Sequence, residues 1–331
     1  MVDRIIKKIS QFDLIGRGCC SFPTATKWQM VKENSSKEKY IVCNVSEGEP
    51  NVFKDEWILA NHPEIALEAI NYAIKFFKAK QAFIYLREDL YNTYRKRLEK
   101  LIAGNKKIKL FKESGGYVGG EETALISSIE GGRAEPKLKP PYPPQSGLYD
   151  KPTLVNNLET FYDIGLILRD EYKKKRLICI SGQGVKPQVH ELPEEMTVEK
   201  ILKETGTYPK FKFFVQVGGG ASGTVLNSKQ LKKNLSQIGG LGTIVVHRLS
   251  ESPRKLFLHW CRFFAEESCG QCVPCREGTY RLVELLEKTK TDWGLFKDLL
   301  FTLENTSFCG LGSAVPKPIT TYLKNIKNVA K

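Results

Sequence analysis

An α/β domain with a parallel sheet, then a small α+β module, then a C-terminal bundle of four helices is the fold class the sequence predicts. Three observations carry this. Strand-like and helix-like segments alternate between Tyr40 and Phe111, the order that gives parallel pairing through helical crossovers. Residues 177–245 turn into short β-type runs separated by Gly and Pro. From Pro253 onward four amphipathic helical patterns follow one another.

Residues 1–30 read as irregular and contain Gly16-Arg-Gly-Cys-Cys-Ser-Phe-Pro23. Tyr40–Val45 is a β-type run ended by Glu47-Gly48-Glu49-Pro50. From Ile65 the period changes: Ile70, Ala73, Ile74 and Phe77 fall on one helix face. Ala82–Leu86 is strand-like, Tyr91–Ile102 helical with Leu98, Leu101 and Ile102 on one side, and Ile108–Phe111 a third strand. A glycine cluster, Gly115 to Gly120, runs straight into a good helix sequence. Pro136 to Pro152 is too rich in Pro, Gly and Tyr for regular structure and long enough to be a functional loop. Val155-Asn156-Asn157 is expected to open the next helix. Lys173–Arg176 reads as a linker, giving domains 1–172, 173–248 and 249–331. In the middle domain the strands are Leu177–Ser181, Phe211–Val217 and Thr243–His247, with a helix near Thr197–Thr205. In the last, Trp293, Phe296, Leu300 and Leu303 mark the third helix.

The chain has 331 residues, 41% hydrophobic and 27% charged, the composition of a folded globular protein. No apolar run approaches the ~18–20 residues of a membrane span, and the first residues lack the apolar core of a secretory signal. Nine Cys in such a chain read as thiols of a reducing, cytoplasmic compartment, available for metal. The formal charge is +14, but the basic residues are scattered, which describes a solvated basic surface rather than a nucleic-acid stripe.

The strongest chemical signal is Cys269-Gly-Gln-Cys272-Val-Pro-Cys275, with Cys309 further on in Ser307-Phe-Cys-Gly310. One helix out and one back returns Cys309 to the other three. Three close thiols and one remote suit a [4Fe–4S] cluster. Zinc, which favours two separated pairs, and plain half-buried cysteines are the alternatives. Cys43, Cys179 and Cys261 sit in apolar runs as core residues, and Cys19-Cys20 read as two free thiols.

Gly115–Leu125 has the physics of a phosphate or flavin site: glycines admit a ligand to the backbone and the following helix start offers free N–H groups. Glu121 and Glu122 at that start could equally complement the helix dipole. Gly218-Gly-Gly-Ala-Ser-Gly223 matches G-x-G-x-x-G after a strand, but lacks a good helix start and an acid about 20 residues on, so it reads as a turn. Glu47 and Glu49 stand beyond a strand's carboxyl end, where open α/β sheets put their sites; a solvated acidic turn is the alternative.

Six segments together resemble the NADH-binding flavoprotein subunit of respiratory complex I and its homologues in NAD(P)-linked hydrogenases and formate dehydrogenases. They are Gly16–Thr24 with Lys27-Trp28; Asn44-Val-Ser-Glu-Gly-Glu-Pro50 with Phe53-Lys-Asp55; Tyr117–Leu125; Leu138–Pro143 with Ser146-Gly-Leu148; Lys151–Thr160; and Glu267–Gly278. The resemblance implies a Rossmann-like FMN and NADH domain, a ubiquitin-like β-grasp domain, and a helical bundle with one [4Fe–4S] cluster on Cys269, Cys272, Cys275 and Cys309. It implies hydride transfer from NADH to FMN and single-electron transfer through the cluster to partner subunits. By matching position, FMN contacts would be Gly16, Gly18, Lys27, Asn44, Ser46, Gly120, Glu121, Val155, Asn156 and Asn157. NADH contacts would be Phe22, Glu47, Glu49, Tyr117, Glu122, Lys139 and Tyr142, with Glu49, Tyr117 and Glu122 at the reacting centre. The chain departs from the family pattern at Cys19, Cys20, Ser21 and Ala25 in the first loop, at Ser46 for a usual Asp, at Tyr142 for Phe and at Gly119 for Cys. The implied partners are a thioredoxin-like [2Fe–2S] subunit and a further iron–sulfur subunit, with no nucleic acid and no direct membrane insertion. The alternative is an electron-transfer or scaffold subunit that keeps the cluster and binds flavin or NADH weakly.

Overall fold

The computed structural model describes residues 4–18, 21–238 and 240–327, so Cys19 and Cys20 lie outside the described residues. The chain divides into two compact units, residues 1–48 with 53–175, and residues 49–52 with 176–331.

In the first unit α1 (Arg4–Gln11) and α2 (Thr24–Glu33) precede β1 (Tyr40–Val45). Then come α3 (Lys54–Asn61), α4 (Pro63–Phe77), β2 (Gln81–Leu86), α5 (Glu88–Ile102), β3 (Ile108–Lys112), α6 (Glu122–Ile129), β4 (Thr153–Asn157) and α7 (Leu158–Leu168). The strands pair in the order β3-β2-β1-β4, all parallel, with Val42 opposite both Phe83 and Val155. Central β1 is covered on both faces, which is why Tyr40-Ile-Val-Cys43 is a continuous apolar run without alternation. Successive strands step away from β1 on one side, whereas β4 returns to its other side. Such a reversal opens a crevice beyond the carboxyl ends of the two strands.

Two expectations for this unit need correction. Residues 1–30 are not irregular throughout: Ile5, Ile6 and Ile9 bury one face of α1, and Trp28 and Val31 anchor α2. Val155-Asn156-Asn157 ends a strand instead of opening a helix. Thr153, Leu154 and Val155 are buried beside β1, and the helix begins only after Asn157, whose side chain caps it by accepting from the Glu159 N–H at 3.0 Å.

Besides residues 49–52, the second unit holds β5 (Lys175–Gly182, from its second residue on), β6 (Val185–Pro193), α8 (Val198–Glu204), β7 (Phe213–Val217), β8 (Thr224–Leu226), α9 (Leu235–Ile238) and β9 (Thr243–Arg248). Its sheet order is β6-β5-β9-β7-β8, with β5 parallel to β9, and β7 antiparallel to β8 and β9. Ile178, Ile180, Val215, Val217, Ile244 and Val246 of the sheet share one core with Val198, Ile201 and Leu202 of α8. β6 and β8 escape a reading of the sequence because one is a half-buried edge strand and the other three residues long. Among the described residues five helices follow: α10 (Pro253–Glu266), α11 (Val273–Glu287), α12 (Trp293–Thr306), α13 (Gly310–Ala314) and α14 (Pro316–Asn325). The fourth expected helix is thus two, parted at Val315, where Pro316 and Pro318 have no N–H to continue the ladder. Among the described residues no helix is long and apolar enough to cross a membrane.

Candidate functional site

The crevice of the first unit is walled by the ends of β1 and β4 and by two glycine loops. Gly16 N donates to Phe22 O at 2.8 Å and Ile15 bridges Pro23, so the first loop is pinched at its base. Buried Arg17 ties that loop to α7: its Nε bonds Asp163 at 2.7 Å, its Nη2 bonds Tyr172 Oη at 2.9 Å, and its backbone N bonds Thr160 Oγ1 at 3.0 Å. Among the described residues nothing lies within 4 Å of a Cβ position at Gly18, and the Phe22 ring is exposed. Lys27, on α2, reaches the Val155 carbonyl at 3.1 Å and Glu122 at 3.4 Å.

At the end of β1, Asn44 Nδ2 donates to Gly120 O at 2.8 Å, fixing the second glycine loop to the sheet. A Cβ at Gly120 would lie 3.1 Å from both Ser46 O and Ser46 Oγ, so the loop approaches only without a side chain. Gly48 does the same for Tyr117, whose ring would lie 3.2 Å from a Cβ there. The α6 N-terminus is occupied by the chain's own acid. The Glu121 carboxylate accepts from Thr123 N at 2.8 Å, Ala124 N at 3.0 Å and the Thr123 hydroxyl. Lys139, from the irregular 136–152 loop, pairs with Glu121 at 2.7 Å and Glu122 at 3.3 Å. Burial opposes its charge, but the two carboxylates outweigh it and raise its pKa. Tyr142 stands exposed on the same loop.

At the end of β4, Asn156 is buried; in the orientation that satisfies both partners its oxygen accepts from Trp28 Nε1 at 3.1 Å. Asn157 is fully engaged. Its Nδ2 donates to Asp55 at 2.7 Å and to Asn44 O at 3.3 Å, and its Oδ1 accepts from Lys54 Nζ at 3.0 Å besides capping α7. Lys54, 1% exposed, also meets Asp55 at 2.6 Å, Glu159 at 3.5 Å and Glu47 at 3.8 Å. The Glu47 carboxylate accepts the Asp55 N–H at 2.9 Å and the Glu56 N–H at 3.3 Å at the start of α3. Burial and then the Asp55 charge push the Glu47 carboxyl up to about 8, against the pull of Lys54 and the two N–H groups. Lys54 and Asp55 stand inside one of the six sequence motifs without a role of their own there; Glu159 carries no separate signal.

Glu49 belongs with the second unit, apart from Glu47. Its Oε1 accepts from Ala221 N and Ser222 N, both at 2.8 Å, and from Ser222 Oγ at 3.0 Å. The literal G-x-G-x-x-G of residues 218–223 therefore is a turn, as read, and the anion it wraps is a protein carboxylate. A Cβ at Gly219 would fall 2.4 Å from Glu49 Oε1.

The four cysteines expected to hold a cluster lie in the second unit, and Cys275 feels the other three. Cys272 is the N-cap of α11, Cys275 lies in its first turn, and Cys309 precedes α13. α12 brings the chain back so closely that a Cβ on Gly312 would lie 3.2 Å from Cys275 Cβ. Burial chiefly, and then the charges of Cys272, Cys309 and Cys269, push the Cys275 thiol up to about 11, although Ser268 Oγ at 3.2 Å opposes this. A Cys275 thiol that feels three others suits an iron–sulfur cluster, whose iron stabilises the deprotonated form of its ligands. Among the described residues no three His, Cys, Asp or Glu side chains are placed as ligands of a single ion. Cys43, Cys179 and Cys261 are buried core residues, as expected.

The crevice fits a flavin nucleotide on two counts. Ser46 Oγ is buried there with no partner among the described residues, although a buried hydroxyl normally has one. At Gly18 no described residue comes within 4 Å of a Cβ position, which leaves backbone there open to a ligand.

Residues 9–165 match the model of the Nuo51 FMN-binding domain, and residues 255–330 that of the NADH-ubiquinone oxidoreductase-F iron-sulfur binding region. The chain is 33% identical to the F subunit of the NADH-quinone oxidoreductase of Aquifex aeolicus, covering 97% of this chain and 84% of that protein. It is 31% identical to the second F subunit of the Rhizobium meliloti NADH-quinone oxidoreductase, covering 98% and 87%. An NAD+-reducing [NiFe]-hydrogenase structure superposes with a TM-score of 0.88 at 32% identity, over 98% of this chain and 61% of the hydrogenase chain. The chain thus spans about three fifths of that relative's length. Identity above 30% along nearly all of the chain, with both family models in register, makes it a member of the family of NADH-quinone oxidoreductase F subunits.

Proposed function

We propose that this chain is the flavoprotein subunit of an NADH dehydrogenase-type complex, with FMN in the β1/β4 crevice and a [4Fe–4S] cluster on Cys269, Cys272, Cys275 and Cys309. The observation that carries the reading is the crevice itself: a strand-order reversal lined by Asn44, Ser46, Gly120, Asn156 and Asn157, with a buried hydroxyl left for a ligand. Bound there, FMN supplies the exchange between a two-electron hydride donor and a one-electron cluster.

The chain's own residues divide the work. Gly16, Gly18 and Gly120 admit the ligand, Ser46 offers a hydrogen bond, and Asn44 and Asn157 hold the walls. Lys27 supplies positive charge beside Val155, and Glu121 anchors the loop before α6. Lys139 suits the phosphates of NADH, and the exposed rings of Phe22 and Tyr142 suit stacking on its adenine. Tyr117, Glu122 and Glu47 are read as the nicotinamide side. Glu49, expected at the reacting centre, is read instead as the anchor of the 218–223 loop.

Residues 173–248 are read as a β-grasp domain, supported by one helix packed on a mixed sheet whose first and last strands pair in parallel. Residues 249–331 are read as the cluster-bearing helical domain. The partners are a thioredoxin-like [2Fe–2S] subunit and a further iron–sulfur subunit, in the cytoplasm. The test is an absorption spectrum of anaerobically prepared protein before and after NADH. Flavin bands that bleach, over a broad iron–sulfur absorbance, are expected. Iron without flavin would favour the cluster-only subunit, and flavin that does not bleach would refute NADH oxidation.

A further inference from the structure

The side chain of Lys54 joins both turns of the crevice. It sits at the start of α3, yet its ammonium reaches Asn157, at the end of β4, at 3.0 Å. Through Asp55, 2.6 Å away, it touches the turn after β1, because the Asp55 backbone N–H is held by the Glu47 carboxylate at 2.9 Å. Asp55 in turn bonds Asn157 Nδ2 at 2.7 Å, so ammonium, carboxylate and amide close a ring of hydrogen bonds. The ion pair is buried, with Lys54 1% and Asp55 0% exposed, while Asn157 is partly buried.

We propose that Lys54 is a positioning residue of the crevice, its ammonium holding the Asn157 amide and neutralising Asp55 so that the two turns keep the spacing a flavin needs. The inference rests on the proposed flavin site. The charged and titratable groups that face this ammonium are Asp55 on its own helix, Glu47 after β1, Glu159 on α7 and the Cys43 thiol of β1; Arg87, before α5, faces Glu47 and is itself paired with Asp89. A Lys54→Met chain leaves Asp55 buried without its ammonium. Asp55 then stays in place only as the neutral acid, and each pH unit above its ordinary range lowers the folding constant a further tenfold. If Lys54 merely filled space, the Met stem would replace it at every pH.

The experiment compares wild type, Lys54→Met and Lys54→Met/Asp55→Asn. Urea unfolding of the flavin-free chain at pH 5.5, 6.5 and 7.5 should show Lys54→Met losing about tenfold more in folding constant per pH unit than wild type. The double variant should lose this extra slope. FMN titration, followed by quenching of flavin fluorescence at pH 7.5, should show Lys54→Met at least tenfold weaker than wild type. The double variant should stay weaker despite its recovered stability, because Asn157 still lacks its ammonium. A Lys54→Met chain with the wild-type slope and FMN affinity, or FMN affinity that recovers in step with stability, would overturn the inference alone. A wild-type chain that takes up no FMN would overturn the proposed function as well, while the urea slopes still decide whether Lys54 neutralises Asp55.

Discussion

Replacing Glu47 by Gln isolates one titration in the first unit. Glu47 is 6% exposed, and its nearest ammonium, Lys54, lies 3.8 Å away but only 2.6 Å from Asp55. The cation is therefore Asp55's first, and burial with the Asp55 charge raises Glu47 from its ordinary 4.5 to about 8. A carboxyl raised on folding stabilises fully below its unfolded pKa, and the benefit disappears as pH rises toward the folded value. At ~1.4 kcal/mol per pH unit, the folded state loses roughly 3 kcal/mol by pH 7 and roughly 5 kcal/mol by pH 8. Glu47→Gln keeps an oxygen for the Asp55 N–H and carries no proton to lose. Urea unfolding from pH 5 to 8.5 should show wild-type stability falling across this window, while the variant stays nearer level by one proton's slope. Equal slopes for the two proteins would refute the assignment of the buried proton to Glu47.

Three further outcomes are expected. Arg17→Met breaks the buried pair with Asp163 that tethers the first glycine loop to α7; it should cost about 3–5 kcal/mol in urea unfolding and lower the flavin content, and Arg17→Met/Asp163→Asn should recover part of the stability. Cys309→Ser should reduce iron per chain and the broad visible absorbance while leaving bound flavin, whereas Cys261→Ser, in the α10 core, should leave iron unchanged. Glu49→Ala removes the acceptor of three hydrogen bonds in the 218–223 turn and should destabilise the second unit by about 1–3 kcal/mol, seen as a lower urea midpoint.

Much of the fold was legible because it rests on local periodicity. The run Tyr40–Cys43, the 3.6-residue spacing of Ile70 to Phe77 and the β-run before Phe111 all became the expected elements. The errors came where tertiary pairing overrides local pattern. Val155 to Asn157 lies beside a helix start and reads as its opening, but β1 recruits it as a strand. β6 has no apolar run because only one edge and part of one face are covered.

The cysteine spacing, the glycine loops and the order of six motifs were enough, by themselves, to point to the family this chain belongs to. Those are properties of residue type and separation along the chain. Charge state and partner choice are not. Glu47 and Glu49 are two residues apart and look equivalent in the sequence, yet one caps α3 beside Lys54 and the other is wrapped by residues 218–223. Lys54 looks like any basic residue until folding buries it between Asp55 and Asn157. Desolvation and hydrogen-bond partners exist only once distant segments meet, so these roles could be assigned only from the folded chain.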